Sequence, residues 1–316
     1  MPLTNQQLKA YDANVLRLPQ DKRTEYHGQV DRLVKNLTEH LKATSKIKVV
    51  RVVKAGSFAK FTILRKTSDD PIDADVVFYL SGDNLDHETL QALNDKILEA
   101  LTNAYPTKQV EDFEIQRRAA TVTFVGSGLS VDIVPVVADP AHPGYGWQFD
   151  LEDGSRLRTC APCAIKFVRD RKENDPDFRT LVRLAKRWRN HAELKHLKSF
   201  VIELIMAHVL ALYGRSGSLE SRFRQFLLYV AQSGLKERIA FPENVGDIPA
   251  FADPVVIIDP VCNTNNVASR LSEVERLEIV AAAQQAWEAA HFASVEGDHD
   301  LWKEIFGRRF KVEEAA

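Results

Sequence analysis

The sequence of 316 residues has little cysteine and no long apolar run. Its three cysteines, Cys160, Cys163 and Cys262, are an odd number, so a disulfide framework is not indicated and we expect reduced thiols. A structural zinc ion needs four ligands of the right type, and two neighbouring thiols do not by themselves indicate one. No segment approaches the roughly 20 apolar residues that span a bilayer, and the N-terminus lacks a basic and then apolar signal pattern. We therefore expect a cytoplasmic protein without a membrane partner.

The chain also lacks a strong charge of either sign. Its 42 Lys and Arg residues nearly balance 44 Asp and Glu residues, which gives a formal net charge of −2. Such a balance provides no overall attraction to nucleic acid or to an anionic membrane, so any phosphate binding must use local positive charge. The hydrophobic share of 45% and the length suit an enzyme with two small lobes.

Three aspartates lie within apolar, strand-like runs. Asp73 and Asp75 flank Ala74, and Asp132 stands between Val131 and Ile133. Residues two apart on a strand face the same way, so Asp73 and Asp75 would share one face, and a neighbouring strand could add Asp132. An isolated Asp-x-Asp is more often a turn or a solvated edge. Three such acids together predict a catalytic site that holds two Mg²⁺ ions, or Mn²⁺ in their place, about 3.5–4 Å apart.

Gly56 and Ser57 accompany these acids. They follow a strand pattern over residues 47–53 and precede residues 58–64, which can start a helix. Glycine lets a backbone approach a phosphate closely, and serine adds a hydroxyl donor. The same pair could instead be an ordinary turn with a helix N-cap. Beside three carboxylates, it predicts that Gly56 and Ser57 bind the triphosphate of a substrate.

The apolar spacing predicts an α+β fold, with a mixed sheet in one lobe and helices in the other. The predicted strands cover residues 72–80, 120–125 and 129–137. The predicted helices cover a long stretch up to residue 46 and residues 83–105, 177–190, 198–213, 219–232 and 272–294, and residues 139–146 are predicted to be a loop. We expect a catalytic lobe over residues 1–160, a helical lobe over 161–308 and a flexible tail over 309–316.

Gly56-Ser57, the Asp73/Asp75 pair and the strand 131–135 resemble the core of the polymerase-β-like nucleotidyltransferases. Segments 181–188, 197–204 and 258–268 resemble the helical half of oligoadenylate synthetases. The chain is thus similar, over roughly residues 45–270, to bacterial CD-NTases, the cyclic-oligonucleotide synthases of anti-phage CBASS signalling. The resemblance implies a cleft between the lobes and an Mg-dependent reaction that joins nucleoside triphosphates, releases pyrophosphate and yields a cyclic di- or trinucleotide.

The resemblance also assigns Lys186 and Lys198 to the triphosphate. Lys198 would stand at a helix start, where the helix dipole disfavours a cation, which supports a ligand role. Both lysines could equally be solvated surface residues. Glu203, on an otherwise apolar helix, could pair with a neighbouring Lys or Arg. Ala161-Pro162 stands where the family often has Ser or Asn before Pro, so the choice of base remains open.

Two other functions fit parts of the pattern. A linear template-independent synthase or RNA-tailing enzyme would use the same acids but would need a continuous basic surface, and the near-neutral charge argues for an enzyme that does not require a polynucleotide. A non-catalytic nucleotide-binding or toxin–antitoxin module would be expected to lack one of the carboxylates, and all three are present. Besides substrates, the expected partners are regulatory or conjugating proteins of a defence operon, which could act on the C-terminal Ala316.

Overall fold

The computed structural model describes residues 2–65, 72–81, 87–150 and 154–311, although the side chains of residues 87–94 and 110 are not described. The first residues of the helix predicted over 83–105 and the end of the predicted tail, Ala316 included, lie outside these ranges. In the described part of the chain, none of the helices combines the length and the apolar composition needed to span a bilayer.

The elements follow the predicted order, with additions. The strands are β1 (Lys48–Lys54), β2 (Ile72–Ser81), β3 (Phe113–Ile115), β4 (Ala120–Phe124), β5 (Leu129–Ala138), β6 (Gly146–Phe149), β7 (Arg156–Thr159), β8 (Ile258–Asp259) and β9 (Cys262–Asn266). The helices are α1 (Asn5–Tyr11), α2 (Gln20–Thr44), α3 (Gly56–Lys60), α4 (His87–Ala104), α5 (Ala161–Asn174), α6 (Phe178–His191), α7 (Ser199–Tyr213), α8 (Leu219–Ser233), α9 (Glu273–Glu296) and α10 (Trp302–Phe306). The β6–β7 hairpin was not predicted from the sequence.

Contacts between residues divide the chain into two compact units. The sheet unit comprises Leu18–Phe61 and Arg65–Lys166, and the helical unit comprises Met1–Arg17, Thr62–Leu64 and Phe167–Ala316. The boundary near residue 166 falls inside α5, a few residues after the boundary expected from the sequence. The N-terminal residues, which the sequence analysis placed in the catalytic lobe, group with the helical unit.

The sheet unit is built on a mixed sheet with strand order β1-β2-β5-β4-β3, and β6 and β7 extend it from the end of β5. Strands β2 and β5 are parallel, whereas β1 pairs with β2 and β4 pairs with β5 in antiparallel fashion. Helix α2 packs its apolar stripe inward, as its spacing predicted; the stripe consists of Tyr26, Val30, Leu33, Leu37 and Leu41. Strand β2 lies between β1 and β5, and its side chains are mostly buried.

The helical unit surrounds α7, whose residues are apolar on nearly all sides and mostly buried. Helix α6 is buried on all sides over residues 180–186, whereas α8 and α9 bury one face each, and all three helices lie within a residue or two of their predicted bounds. Near the N-terminus, the buried Asp12 accepts hydrogen bonds from the Arg183 guanidinium at 2.6 and 2.7 Å and from Thr180 at 3.1 Å. This ion pair attaches the N-terminal segment to α6.

The expectation of reduced cysteines is wrong for two of the three. A disulfide joins Cys160 and Cys163, whose Cα atoms lie 5.2 Å apart at the start of α5. A first helical turn brings residues three apart within the range that a disulfide can bridge. The odd count is explained by Cys262, which is a buried free thiol.

Candidate active site

The pairing of β2 with β5 brings the three predicted carboxylates together. In the parallel register Asp75 is the direct partner of Asp132, and Asp73 is paired with Ser130. Their neighbours Ala74 and Val131 are fully buried on the opposite face, so the acids share the other face. Paired residues of adjacent strands are separated by about 5 Å. Two carboxylates therefore lie side by side, with a third one step along β2.

The Gly-Ser turn lies directly against this face. The Ala55 N–H donates to the backbone oxygen of Asp75 at 2.7 Å, which positions the start of α3 beside the carboxylates. Gly56 has φ +58°, and a Cβ atom there would lie 1.7 Å from Asp75 Oδ2. Glycine is required on both grounds, because other residues disfavour this φ and the carboxylate occupies the space a side chain would need. Helix α3 ends at Lys60, and the next residue, Phe61, is its left-handed C-cap.

Asp132 is held by a residue that the sequence analysis did not single out. Thr121, its antiparallel partner on β4, donates its hydroxyl to Asp132 Oδ1 at 2.6 Å. Burial raises the pKa of Asp132; the Thr121 hydrogen bond opposes this rise, and the charge of Glu114 adds to it. The alternation of Ala120 and Val122 with two threonines was the available signal, because it places Thr121 on the face of the acids.

The two predicted lysines belong to the helical unit and have different environments. Lys186 is 2% exposed and forms an ion pair with Glu203, with Nζ to Oε1 at 2.8 Å. Its Nζ also donates to Thr62 Oγ1 at 2.9 Å and to the Thr62 carbonyl oxygen at 3.2 Å. The predicted pairing of Glu203 with a nearby cation is thus confirmed, and the phosphate role of Lys186 stays a prediction.

Lys198 is exposed at the N-cap of α7, and its Nζ donates to the Lys195 carbonyl oxygen at 3.4 Å. Its side chain therefore has the freedom to reach a ligand that buried Lys186 lacks. The residue lies where the sequence placed it, at a helix start, and its contact with phosphate also stays a prediction.

The chemistry of the carboxylates bears on which metal ion they could hold. Among the described residues, no group of three or more His, Cys, Asp or Glu side chains forms a metal site by itself. Mg²⁺ usually takes only one or two carboxylates and completes its shell with water and substrate phosphate oxygens. The Asp73, Asp75 and Asp132 side chains supply oxygen ligands of that kind, so the donor chemistry fits Mg²⁺ bound together with a nucleotide.

The sequence matches a known family and curated relatives. A family model described as the Second Messenger Oligonucleotide or Dinucleotide Synthetase domain matches residues 1–164. The chain is 66% identical over 316 residues to the CBASS oligonucleotide cyclase CdnC of Escherichia coli (strain KTE188), with all of both chains covered. It is 33% identical over 307 residues to the cyclic AMP-AMP-AMP synthase of Escherichia coli (strain MS 115-1), with 94% of each chain covered.

Two solved structures resemble the whole chain. The structure of E. coli MS115-1 CdnC with ATP matches with a TM-score of 0.83 and 31% identity, and covers 98% of this chain and 99% of that one. The complex of E. coli MS115-1 CdnC with HORMA-deltaN matches with a TM-score of 0.82 and 30% identity, covering 98% of each chain. These similarities confirm the predicted α+β nucleotidyltransferase fold with a mixed sheet and a helical lobe.

Proposed function

The chain belongs to the family of second messenger oligonucleotide or dinucleotide synthetases, and we propose that it joins nucleoside triphosphates into a cyclic di- or trinucleotide that acts in anti-phage defence. The observation that carries this proposal is the β2–β5 register, which pairs Asp75 with Asp132 and places Asp73 on the same face. The position of Gly56 against Asp75 supports it, because a triphosphate on the Gly-Ser turn would then meet the carboxylates.

In the proposed reaction, a sugar hydroxyl of one nucleotide attacks the α-phosphorus of another and pyrophosphate leaves. Asp73, Asp75 and Asp132 would hold two Mg²⁺ ions, which neutralise charge on the reacting phosphate oxygens when bound. Gly56 lets the backbone approach the triphosphate, and the Ser57 hydroxyl donates to it. Lys198 adds positive charge at the phosphates. Lys186 either adds positive charge there as well or has a structural role through its ion pair with Glu203 of α7. Each further bond is formed by the same residues and releases another pyrophosphate, and the last bond, the second for a dinucleotide or the third for a trinucleotide, closes the ring.

The names of two relatives support a particular substrate. One of them is named a cyclic AMP-AMP-AMP synthase, and the structure of MS115-1 CdnC contains ATP. We propose that this chain also uses ATP and that its product is a cyclic trinucleotide of adenosine. The complex of MS115-1 CdnC with a HORMA protein further supports a regulatory protein partner for this chain.

The experiment that tests the reaction is incubation of the purified protein with α-³²P-labelled nucleoside triphosphates and Mg²⁺ or Mn²⁺. Products are treated with phosphatase and analysed by mass spectrometry. The Asp73→Ala/Asp75→Ala variant serves as the negative control, and Asp21→Ala, which changes an exposed aspartate on α2, serves as the matched control. We expect a phosphatase-resistant cyclic product from the wild type and from Asp21→Ala only.

Phosphatase-sensitive ladders would instead support the linear synthase. Absence of product from every protein calls for a binding measurement, in which the wild type but not the Asp73→Ala/Asp75→Ala variant should bind ATP with Mg²⁺. Equal or absent ATP binding in both proteins would refute the assignment of these residues.

A further inference from the structure

The sheet unit contains a cavity that the proposed reaction does not use. Its volume is about 640 Å³, which lies within the range of small-molecule sites. Val50 and Arg51 of β1, Tyr79 and Ser81 of β2 and most of residues 137–145 line it. Pro140, Pro143 and Tyr145 belong to this last segment. The cavity therefore lies at the C-terminal ends of β2 and β5.

The cavity is separate from the carboxylates. Tyr79 follows Asp75 by four residues on β2, and a strand rises about 3.3 Å per residue, so roughly 13 Å separates the two positions. A buried apolar cluster, formed by Tyr79 with Ala55, Val77, Val136 and Ala161, fills part of this interval. A ligand in the cavity would thus contact a different part of the sheet from a nucleotide at Asp73 and Asp75.

The charges around the cavity favour an anion. Among the described residues, the Arg51 guanidinium has neither an ion-pair partner nor a hydrogen-bond acceptor, and it lines the cavity. Asp139, the acid that also lines the cavity, is already engaged: it accepts from the Ala141 N–H at 3.0 Å, contacts His142 Nδ1 at 2.8 Å and lies 3.4 Å from Arg158 Nη2. A guanidinium binds a carboxylate through two parallel hydrogen bonds, which makes a carboxylate the matching group.

The rest of the lining favours a flat, apolar body. The two proline rings, the two tyrosine rings and the side chains of Val50, Val137 and Ala138 provide mostly carbon surface. Aromatic rings pack well against such surfaces, in offset or edge-to-face arrangements with tyrosine. We propose that this cavity binds a small planar aromatic carboxylate, with its ring against Tyr79 and the prolines and its carboxylate on Arg51.

Tyr79 links this site to the start of α5. Its hydroxyl accepts a hydrogen bond from the Ala161 N–H at 3.0 Å, and Tyr79 is 2% exposed. On the other side of the cavity, a Cβ atom on Gly144 would lie 3.7 Å from Cys160 Sγ and 3.9 Å from Arg51 Nη1. A bound ring therefore contacts the side chain that holds the first turn of α5, next to the disulfide.

The test is calorimetric titration of the full-length protein with 2-naphthoate, a planar aromatic carboxylate, at constant ionic strength. We expect one saturable site in the wild type and at least roughly tenfold weaker binding in Arg51→Gln, since a hydrogen bond to a charged group contributes about that much. Lys48→Gln, an exposed cation on the same strand that does not line the cavity, is the matched control and should bind as the wild type does. The neutral analogue 2-naphthamide should bind the wild type only weakly.

Further variants separate this site from the nucleotide site. Ala138→Phe fills the cavity and should abolish 2-naphthoate binding, while Asp73→Ala/Asp75→Ala should leave it unchanged. Failure of the proposed reaction would therefore not affect this result. The proposal is refuted if 2-naphthoate does not bind saturably, if Arg51→Gln binds it as tightly as the wild type, if octanoate binds equally well, or if ATP with Mg²⁺ displaces it competitively.

Discussion

Two buried carboxylates of the helical unit, Asp12 and Glu203, have cationic partners, whereas the partly buried Asp132 of the candidate site has a hydroxyl partner. Asp12 is paired with Arg183 and Glu203 with Lys186. Asp132 accepts a hydrogen bond from Thr121, and no cation pairs with it in the described part of the chain. The contrast is not one of sheet against helix, since the buried Asp150 of the sheet unit is paired with Arg117 and Arg118. It distinguishes Asp132 from these three ion-paired carboxylates.

The two kinds of carboxylate differ in whether a cation of the protein balances their negative charge. A buried carboxylate next to a guanidinium is neutralised within the protein, and removal of either partner leaves an uncompensated charge. A partly buried carboxylate without a cation is disfavoured in its charged form, as the raised pKa of Asp132 reflects. Such a group has unused capacity to bind a cation that arrives with the substrate. We therefore expect substitution of an ion-paired carboxylate to lower stability but not activity, and substitution of Asp132 to lower activity but not stability.

The largest expected effect is on the reaction, from Asp132→Asn. The amide keeps the size of the side chain and can still accept from Thr121, but it removes the charge needed at the reacting phosphates. We expect product formation to fall by at least about 10²–10³-fold, as when a key electrostatic group is removed from other active sites. The melting temperature should stay equal to or rise above that of the wild type, because a disfavoured buried charge is gone. A lower melting temperature would show that Asp132 is a structural residue.

Asp12→Asn should have the opposite profile. It leaves the Arg183 guanidinium buried without a full counter-charge, and breaking a buried pair in this way destabilises proteins by about 3–5 kcal/mol. Urea denaturation at neutral pH measures this loss. Product formation per folded molecule should change little at low temperature, where the variant remains folded. If the variant were as stable as the wild type, the ion pair would not be what attaches the N-terminal segment to α6.

The Lys186–Glu203 pair allows the structural and phosphate roles of a lysine to be separated. Lys186→Met alone should destabilise the protein by about 3–5 kcal/mol, while Lys186→Met/Glu203→Leu should recover most of that loss, because apolar residues often replace a buried pair without penalty. The double variant then reports on substrate binding in a folded protein. An unchanged KM for ATP would restrict Lys186 to a structural role, and a raised KM would support contact with the triphosphate.

Lys198→Gln tests the phosphate role of an exposed lysine, for comparison with the buried Lys186. Because Lys198 is exposed, we expect its loss to leave the melting temperature unchanged and to raise the KM for ATP roughly tenfold, the effect of one charge-assisted hydrogen bond. Lys195→Gln, three residues earlier and also exposed, is the matched control and should leave KM unchanged. An unchanged KM in Lys198→Gln would remove this residue from the site.

The acids and the sheet that carries them were predictable from the sequence, because both depend on local patterns. The alternation around Asp73, Asp75 and Asp132 fixed their common face, and apolar spacing located α2 and the helices α6 to α9. The sequence predicted that Gly56 accompanies the carboxylates, but not that it lies against Asp75. The need for glycine there comes from the position of the carboxylate against the turn, which the sequence does not encode locally.

Contacts between distant segments were the part that the sequence could not provide. Nothing in the local sequence sets Thr121 apart from the other threonines, and only the β4–β5 register places it opposite Asp132. Lys186 has the spacing of a surface lysine, and only the packing of α6, α7 and Thr62 makes it buried. The Cys160–Cys163 disulfide depends on where α5 begins, and the cysteine count pointed the other way.

Thr121→Val tests whether the hydroxyl of this residue positions Asp132. Valine preserves the shape of threonine but leaves Asp132 without its hydrogen bond, and we expect about a 10–100-fold loss of product formation, as for groups that orient metal ligands. Binding of Mn²⁺, followed by electron paramagnetic resonance in the presence of ATP, should weaken in parallel. Thr121→Ser restores the hydroxyl and should recover both properties. Loss of activity in Thr121→Val with unchanged Mn²⁺ binding would contradict a positioning role.

The smallest effect is the pH dependence of the Asp12 ion pair. Burial raises the pKa of Asp12, but the hydrogen bonds and charges of Arg183 and Arg17 outweigh it and hold the pKa below the ordinary value of 3.8. A carboxyl with a lowered pKa in the folded state stabilises the protein fully above its ordinary pKa, and this contribution is lost as the pH falls through the lowered value. The difference in urea midpoint between wild type and Asp12→Asn should therefore be the same at pH 7 and pH 5 and should narrow below about pH 4. A difference that narrowed already between pH 7 and pH 5 would mean that a histidine, and not Asp12, controls the stability of this unit.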